Sequence, residues 1–163
     1  MNLYLFRHGS AAQAGFGEPD AGRALTREGK AEVKAVARWL DARNPAIDLI
    51  AASPYMRAQE TAAIAVKFLG PGIRRETWDA LVPSGEPEDV IRRIESAHAE
   101  ALLIVGHEPL LSTLLGILIA GAGGARVAIT KAGLAKIRDL SFSSECSGEL
   151  HWLVTPRVVT HGK

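Results

Sequence analysis

The sequence predicts an α/β fold built on a largely parallel sheet, and two observations carry this prediction. Short apolar runs alternate with stretches in which apolar residues recur at helical spacing, as in successive β-α-β units. The runs at residues 3–6 and 101–105 are continuously apolar, which is typical of strands buried on both faces of a sheet. The 163 residues contain no internal repeat, low-complexity tract or linker, so we expect a single domain spanning residues 1–163.

The composition disfavours several classes of partner. The formal net charge is +1, which gives no overall field to attract nucleic acid or an anionic membrane, and we expect neither as a partner. The most apolar segment, residues 110–120, is shorter than the roughly 20 residues that cross a bilayer. Cys146 is the single cysteine, which excludes an internal disulfide and a cysteine metal cluster. Because the first residues also show no signal-peptide pattern, we expect a cytoplasmic protein.

The first strand, residues 3–6, leads into a long loop at residues 10–24 that contains Pro19 and shows no periodicity. Long loops in compact domains are often functional. Thr26 is a suitable N-cap for the helix that follows, with Glu28 in its first turn. Apolar residues at helical spacing predict the buried face of that helix, namely Val33, Val36, Ala37 and Leu40.

A second strand is predicted at residues 48–52. Ser53 and Pro54 then form a helix-start signal, with Ser53 as the N-cap and Pro54 as the first helical residue. The Gly-Pro-Gly sequence at residues 70–72 ends this helix, and residues 73–77 predict a short third strand.

The second half of the chain continues the alternation and then changes character. Residues 80–87 predict a loop, and the spacing of Val90, Ile91 and Ile94 predicts a helix. The apolar strand at residues 101–105 is followed by Pro109, which opens an apolar helix as far as about Ala120. Three further strands are predicted in the tail, at residues 126–130, 134–142 and 149–155.

Basic side chains follow three of the predicted strands. Arg7 and His8 follow the first strand, Arg57 lies in the helix after the second, and His107 follows the strand at residues 101–105. Because the carboxyl ends of parallel strands meet at one edge, we expect these side chains to converge there. Guanidinium groups suit phosphoryl oxygens, so phosphate or sulfate should fit this site. No metal-binding pattern is present, and we expect no metal or other cofactor.

The residues around these side chains resemble the histidine phosphatase superfamily, also called the phosphoglycerate mutase-like family. Its Arg-His-Gly signature stands at residues 7–9, and its Ser-Pro-x-x-Arg-x-x-x-Thr motif stands at residues 53–61. Its Gly-His motif stands at residues 106–107, and its Leu-Thr-x-x-Gly element at residues 25–29. The resemblance implies a three-layer α/β/α sandwich over a mixed, mostly parallel sheet. The short length and residues 81–85 and 107–110 look most like the SixA-type phosphohistidine phosphatases.

The resemblance also implies a mechanism. His8 would attack phosphorus and form a phosphohistidine intermediate, while Arg7, Arg57 and His107 hold the oxygens of the transferred group. To attack, His8 must be neutral, and the neighbouring arginines favour that form. Gly9 would lie close to the phosphorylated substrate. Ser10 and Gln13 have two open interpretations, contact with the substrate phosphate or a place in a solvated loop.

One departure from the family pattern bears on the substrate. Ester-cleaving relatives carry a glutamate general acid in a Leu-x-Glu context, whereas residues 81–83 here read Leu-Val-Pro. An alkoxide leaving group needs a proton far more than the imidazole of a phosphohistidine does. The missing glutamate therefore favours P–N over P–O substrates, unless Glu86 or Asp89 serves as the general acid. Glu108 has two open interpretations, neutralising local charge or taking part in the chemistry.

The sequence leads us to expect a metal-independent phosphatase that removes phosphate from histidine in a phosphoprotein, such as a phosphotransfer domain or a phosphocarrier. One alternative is a phosphomonoesterase for a small phosphorylated metabolite. A second alternative, from another class of protein, is a phosphate-binding module without turnover.

Overall fold

The computed structural model describes residues 1–121, 124–142 and 147–161, with His161 described by its backbone alone. Cys146 lies outside the described residues, so the interpretation of this cysteine rests on the sequence.

One mixed sheet organises the described part of the chain. Its strands are β1 (Asn2–Arg7), β2 (Leu49–Ala52), β3 (Arg74–Thr77), β4 (Ala101–Gly106), β5 (Leu134–Ser141) and β6 (Ser147–Val154). They lie in the order β3-β2-β4-β1-β5-β6. The first four run parallel to one another, whereas β5 is antiparallel to both β1 and β6. The carboxyl ends of β1, β2 and β4 therefore meet at one edge of the sheet.

Helices cover both faces of this sheet. They are α1 (Arg27–Asp41), α2 (Met56–Leu69), α3 (Pro87–Ser96), α4 (Leu110–Ala120) and α5 (Pro156–His161). One apolar cluster joins the sheet to α1 and α2, with α5 packed against it, and a second cluster joins the opposite face to α3 and α4. The molecule is a three-layer α/β/α sandwich, which confirms the predicted fold class.

Strand β1 contributes to both apolar clusters because successive side chains of a strand point to opposite faces. Leu3 and Leu5 pack in the cluster with α3 and α4, whereas Tyr4 and Phe6 pack in the cluster with α1 and α2. Full burial of an apolar side chain contributes roughly 1.5–3 kcal/mol. The strand that leads to Arg7 and His8 is thus fixed from both sides.

Two predicted elements differ from the structure. Residues 126–130 form no strand, because Ile129 donates its N–H to the Ser112 hydroxyl and its carbonyl accepts from Arg7 instead of a neighbouring strand. Helix α2 begins at Met56 and not at Pro54. The Ser53 hydroxyl still accepts from the N–H of Tyr55 at 3.3 Å, but it does so in a turn that precedes the helix.

Three short elements were not predicted from the sequence. They are the 3-10 turn Asp20–Gly22 inside the predicted loop, a second 3-10 turn at Asp79–Leu81, and α5 after β6. Within the ranges described above, no helix is both long enough and apolar enough to cross a membrane.

The Leu-Thr-x-x-Gly element has a packing role at the start of α1. Thr26 caps the helix by accepting from the N–H of Gly29 at 3.0 Å, and its own N–H donates to the carbonyl of Ser10 at 2.9 Å. A Cβ on Gly29 would lie 2.0 Å from that carbonyl oxygen. The helix can therefore approach the backbone after His8 only because residue 29 has no side chain.

We expect Gly29→Ala to lower the free energy of unfolding by about 1–3 kcal/mol, because the methyl group overlaps backbone that cannot rotate away. Urea unfolding measures this change. Gly72→Ala is the matched control, since a Cβ there meets nothing within 4 Å, and it should change stability by less than about 0.5 kcal/mol. Equal effects of the two substitutions would contradict the packing role.

Candidate active site

The site is built at the edge of the sheet where β1, β2 and β4 end. Arg7 and Gly106 are partners in the parallel register of β1 and β4, so His8 and His107 follow two paired positions. The His8 N–H donates to the carbonyl of Gly106 at 3.1 Å, and the Ser53 N–H donates to that of Val105 at 3.0 Å. These backbone bonds extend the sheet by one residue and bring the side chains together.

The orientation of the His8 ring is set by its own backbone neighbour. Its Nδ1 lies 2.7 Å from the carbonyl oxygen of Gly9, which can only accept a hydrogen bond, so Nδ1 carries the ring proton. Its Nε2 is then unprotonated and accepts from Nε of Arg57 at 3.3 Å. The ring therefore presents a nitrogen lone pair to the arginine.

Both histidines of the site are neutral at neutral pH. Burial is the main reason that the pKa of His8 falls from 6.5 to about 4. The hydrogen bond to Gly9 opposes this shift, and the charges of Arg57, Arg7 and Lys131 add to it. Burial likewise lowers the pKa of His107 from 6.5 to about 3, with His8 and Arg57 adding to the effect. His8 thus keeps its lone pair over the whole physiological pH range.

His107 packs beside His8, with 4.9 Å between the ring centroids. Its Nε2 lies 2.8 Å from the hydroxyl of Ser53, and Tyr55 meets the ring edge-on at 5.1 Å. Ser53 is therefore a partner of His107 as well as a turn residue. The Nδ1 of His107 is buried and has no hydrogen-bond partner.

Arg57 forms the most hydrogen bonds of the four predicted residues. Its side chain is only 6 % exposed, and it donates through NH1 to the backbone carbonyl of Asp20 at 2.8 Å and through NH2 to the Asp20 carboxylate at 2.9 Å. Arg23 holds the other carboxylate oxygen at 2.7 Å. These bonds lower the pKa of Asp20 and keep it ionised.

Arg7 and Glu108 interact electrostatically beside His8 and His107. Arg7 donates through NH1 to the carbonyl of Ile129 at 2.8 Å, while its Nε is buried without a partner. Burial lowers the pKa of Arg7, and the charge of Glu108 opposes that shift. Oε1 of Glu108 is also buried without a partner. Buried polar groups without partners are uncommon, and those of Arg7, His107 and Glu108 indicate a place for a polar ligand.

The three residues predicted to contact substrate differ in their surroundings. The Gly9 N–H donates to the Thr61 hydroxyl at 3.3 Å, and a Cβ on Gly9 would lie 2.7 Å from the carbonyl oxygen of Gly29. Ser10 donates through its hydroxyl and its N–H to the Glu32 carboxylate. Gln13 is exposed in the loop before Asp20. Only Gly9 directly supports the His8 ring.

The two carboxylates considered as general acids lie at the start of α3. Glu86 is the exposed residue that precedes the helix, and Asp89 forms an ion pair with Arg92. Neither forms a hydrogen bond or ion pair with Arg7, Arg57 or either histidine of the site. In the described ranges, no group of three or more His, Cys, Asp or Glu side chains is arranged to hold a metal ion.

Sequence reasoning missed Asp20, Lys131 and the carbonyl of Ile129 as parts of the site. Asp20 lies in a loop without periodicity, 37 positions from the arginine that it contacts. The Ile129 contact depends on a backbone atom, which no side-chain pattern reveals. The only available signal was the length of the loop at residues 10–24.

Comparison with known proteins places this chain in a family. Residues 3–82 match the model of the histidine phosphatase superfamily (branch 1). The phosphohistidine phosphatase SixA homolog of Haemophilus influenzae is 30 % identical, over 72 % of this chain and 77 % of its own length. The chain therefore belongs to the histidine phosphatase superfamily, as its motifs predicted.

More specific similarities are to SixA proteins. Phosphohistidine phosphatase SixA of Escherichia coli is 25 % identical, over 96 % of this chain and 94 % of its own. The structure of the protein histidine phosphatase SixA complexed with tungstate superposes with a TM-score of 0.83 at 24 % identity, over 96 % and 98 % of the chains. A putative alpha-ribazole-5'-P phosphatase from E. coli has a TM-score of 0.73 at 20 % identity, over 96 % of this chain and 98 % of its own, so the fold also occurs outside the SixA proteins.

The low pKa values of the two histidines predict a pH dependence of stability. Between about pH 6.5 and pH 4 the unfolded chain protonates His8 and the folded chain does not, so stability falls as the pH is lowered. His107 acts in the same direction, down to about pH 3. Each histidine contributes a slope of about 1.4 kcal/mol per pH unit within this window.

Urea unfolding across this pH range tests the prediction. His107→Gln should reduce the slope by about 1.4 kcal/mol per pH unit, whatever its effect on stability at neutral pH. His151→Gln, at an exposed position of β6, should leave the slope unchanged. If the pH dependence of stability has the same slope in the wild type and in both variants, His107 titrates alike in the folded and unfolded chains.

The contact between Asp20 and Arg57 predicts a change in anion affinity. The carboxylate holds an NH2 donor that an incoming phosphate also needs, and its charge repels the phosphate. We expect Asp20→Asn to tighten binding of inorganic phosphate by about two- to fivefold, a modest gain because the Asp20 side chain is 51 % exposed. Calorimetric titration measures it, with exposed Asp41→Asn as the control. Weaker binding would instead indicate that Asp20 holds Arg57 in position.

Proposed function

We propose that this protein is a phosphohistidine phosphatase that acts on a phosphorylated protein through a covalent intermediate on His8. The observation that carries the proposal is the His8 ring, whose proton is held on Nδ1 by the Gly9 carbonyl while Nε2 faces Arg57. A neutral imidazole with its lone pair aimed at a guanidinium is arranged to attack a phosphoryl group bound by that guanidinium. Similarity to the SixA proteins supports the same proposal.

In the first step, Nε2 of His8 forms a bond to phosphorus while the P–N bond of the substrate breaks. The electron pair of that bond goes to the substrate ring, which leaves as a neutral imidazole. Arg7, Arg57 and His107 surround the phosphoryl position and would bind its oxygens as charge spreads over them. The unpartnered Nε of Arg7 and Nδ1 of His107 offer hydrogen-bonding capacity for this purpose.

In the second step, a water molecule attacks the phosphorus of phosphorylated His8. The P–N bond breaks, its electron pair returns to Nε2, and the proton of the attacking water passes to the phosphate that leaves. His8 keeps its proton on Nδ1 throughout, because the Gly9 carbonyl accepts from it. The ring is therefore ready for another cycle without a change of tautomer.

The preference for a P–N bond rests on the surroundings of the leaving group. Residues 81–83 lack the acid of the ester-cleaving relatives, and Asp89 is engaged by Arg92. A phosphohistidine partner supplies a better leaving group than an alcohol and depends less on such an acid. A protein that carries phosphohistidine, such as a phosphotransfer domain or a phosphocarrier, is the partner class that fits this chemistry.

We expect the purified protein to release phosphate from a phosphohistidine-bearing protein, without added metal, faster than from p-nitrophenyl phosphate. His8→Ala should reduce turnover of the phosphoprotein on the order of 10³-fold or more, because it removes the nucleophile. Quenching in base should trap an acid-labile phosphoenzyme in the wild type and none in His8→Ala. His151→Ala, which removes an exposed histidine, should retain both properties.

The possible outcomes separate the alternatives. Faster turnover of the ester would identify a phosphomonoesterase for small metabolites. Phosphate binding without turnover of either substrate would identify a binding module. Full activity of His8→Ala would contradict the covalent mechanism.

A further inference from the structure

Glu108 stands where the candidate site opens into a groove. It directly follows His107, and it lines one end of a groove of about 780 Å³ between the start of α4 and residues 124–128. The groove wall mixes polar and apolar side chains, among them Pro109, Ser112, Ile117, Arg126 and Val127. No residue of this groove is used by the mechanism proposed above.

Ile129 connects the groove to Arg7 of the candidate site. Ile129 donates its N–H to the Ser112 hydroxyl on α4 at 3.2 Å, and its carbonyl accepts from Arg7 at 2.8 Å. One residue therefore anchors the segment that lines the groove and also orients an arginine of the site. The groove wall and Arg7 are therefore connected through Ile129.

One oxygen of the Glu108 carboxylate receives no hydrogen bond. Its Oε1 is buried and has no hydrogen-bond partner, and Nε of Arg7 is buried and unpartnered as well. The charges of the two side chains interact, yet they form no ion pair with each other. An ionised carboxylate only accepts hydrogen bonds, so the ligand that satisfies Oε1 must offer an N–H or an O–H. A phosphoryl dianion offers neither.

A phosphohistidine ring offers the matching donor. Its P–N bond breaks with the electron pair going to the ring, and the ring leaves as neutral imidazole only when its other nitrogen already carries a proton. Without that proton it would have to leave as an imidazolate anion, a much poorer leaving group. A nearby carboxylate favours the protonated ring and raises its pKa.

We infer that Glu108 is a catalytic residue that accepts a hydrogen bond from the distal N–H of the substrate's phosphohistidine ring and holds that ring in its protonated form. This inference rests on the proposed function and adds how the leaving group is handled. Glu108 takes up no proton in this step, and the proton remains on the ring that leaves. Such a residue selects for P–N substrates, since an ester oxygen has no proton to donate to a carboxylate.

The test compares Glu108→Gln with the wild type on two substrates, a phosphohistidine-bearing protein and p-nitrophenyl phosphate. The substitution keeps the shape and removes the charge. We expect kcat/KM for the phosphoprotein to fall about 10-fold or more and that for the ester to change less than about threefold. The loss should grow as the pH rises above neutrality, because the substrate ring then needs the carboxylate to stay protonated. Glu108→Asp, which keeps the charge, should recover part of the activity.

Controls keep the outcomes separable. Glu95→Gln, at an exposed position of α3, should behave as the wild type on both substrates. Equal losses on both substrates, or no loss on either, would overturn the role of Glu108. If the wild type does not dephosphorylate the phosphoprotein, the proposed function is wrong, and the role of Glu108 that depends on it is wrong as well. Urea unfolding of each variant separates loss of the fold from loss of the interaction.

Discussion

The hydrogen bond from Nδ1 of His8 to the carbonyl of Gly9 is the interaction on which the rest of the site depends. It fixes the tautomer, and so decides which nitrogen faces Arg57. The backbone that supplies this carbonyl lies against α1, where neither Gly9 nor Gly29 has room for a Cβ. Two glycines 20 positions apart thus let the chain after His8 pack closely on the helix.

The electrostatics of the site follow from burial. His8 and His107 are 8 % and 1 % exposed, and removal from water favours their neutral forms before any neighbouring charge is counted. Each arginine has its own carboxylate, Asp20 in contact with Arg57 and Glu108 acting on Arg7 from beyond ion-pair distance. The two carboxylates differ in exposure and in partners, so we assign them different roles in the site.

The sequence was sufficient to predict the fold class and the convergence of Arg7, His8, Arg57 and His107. Each of these lies at the end of a strand of the parallel half or in the first residues after it, so its place is defined by nearby residues in sequence. The same reasoning failed for residues 126–130, whose apolar and β-branched residues suggested a strand. Asp20 could not be found either, because its contact with Arg57 depends on how a loop folds over the sheet edge. Local patterns predict positions at strand ends but not contacts made by loops.

The most direct test of this account is the protonation state of His8, observed by nitrogen NMR of the imidazole rings across the pH range. The account predicts a neutral ring with the proton on Nδ1 that begins to protonate only near its pKa of about 4. A ring that protonates near the ordinary value of 6.5, or that carries its proton on Nε2, would contradict it. A proton on Nε2 would remove the lone pair with which His8 attacks phosphorus, and a pKa of 6.5 would leave part of the enzyme without that lone pair at neutral pH.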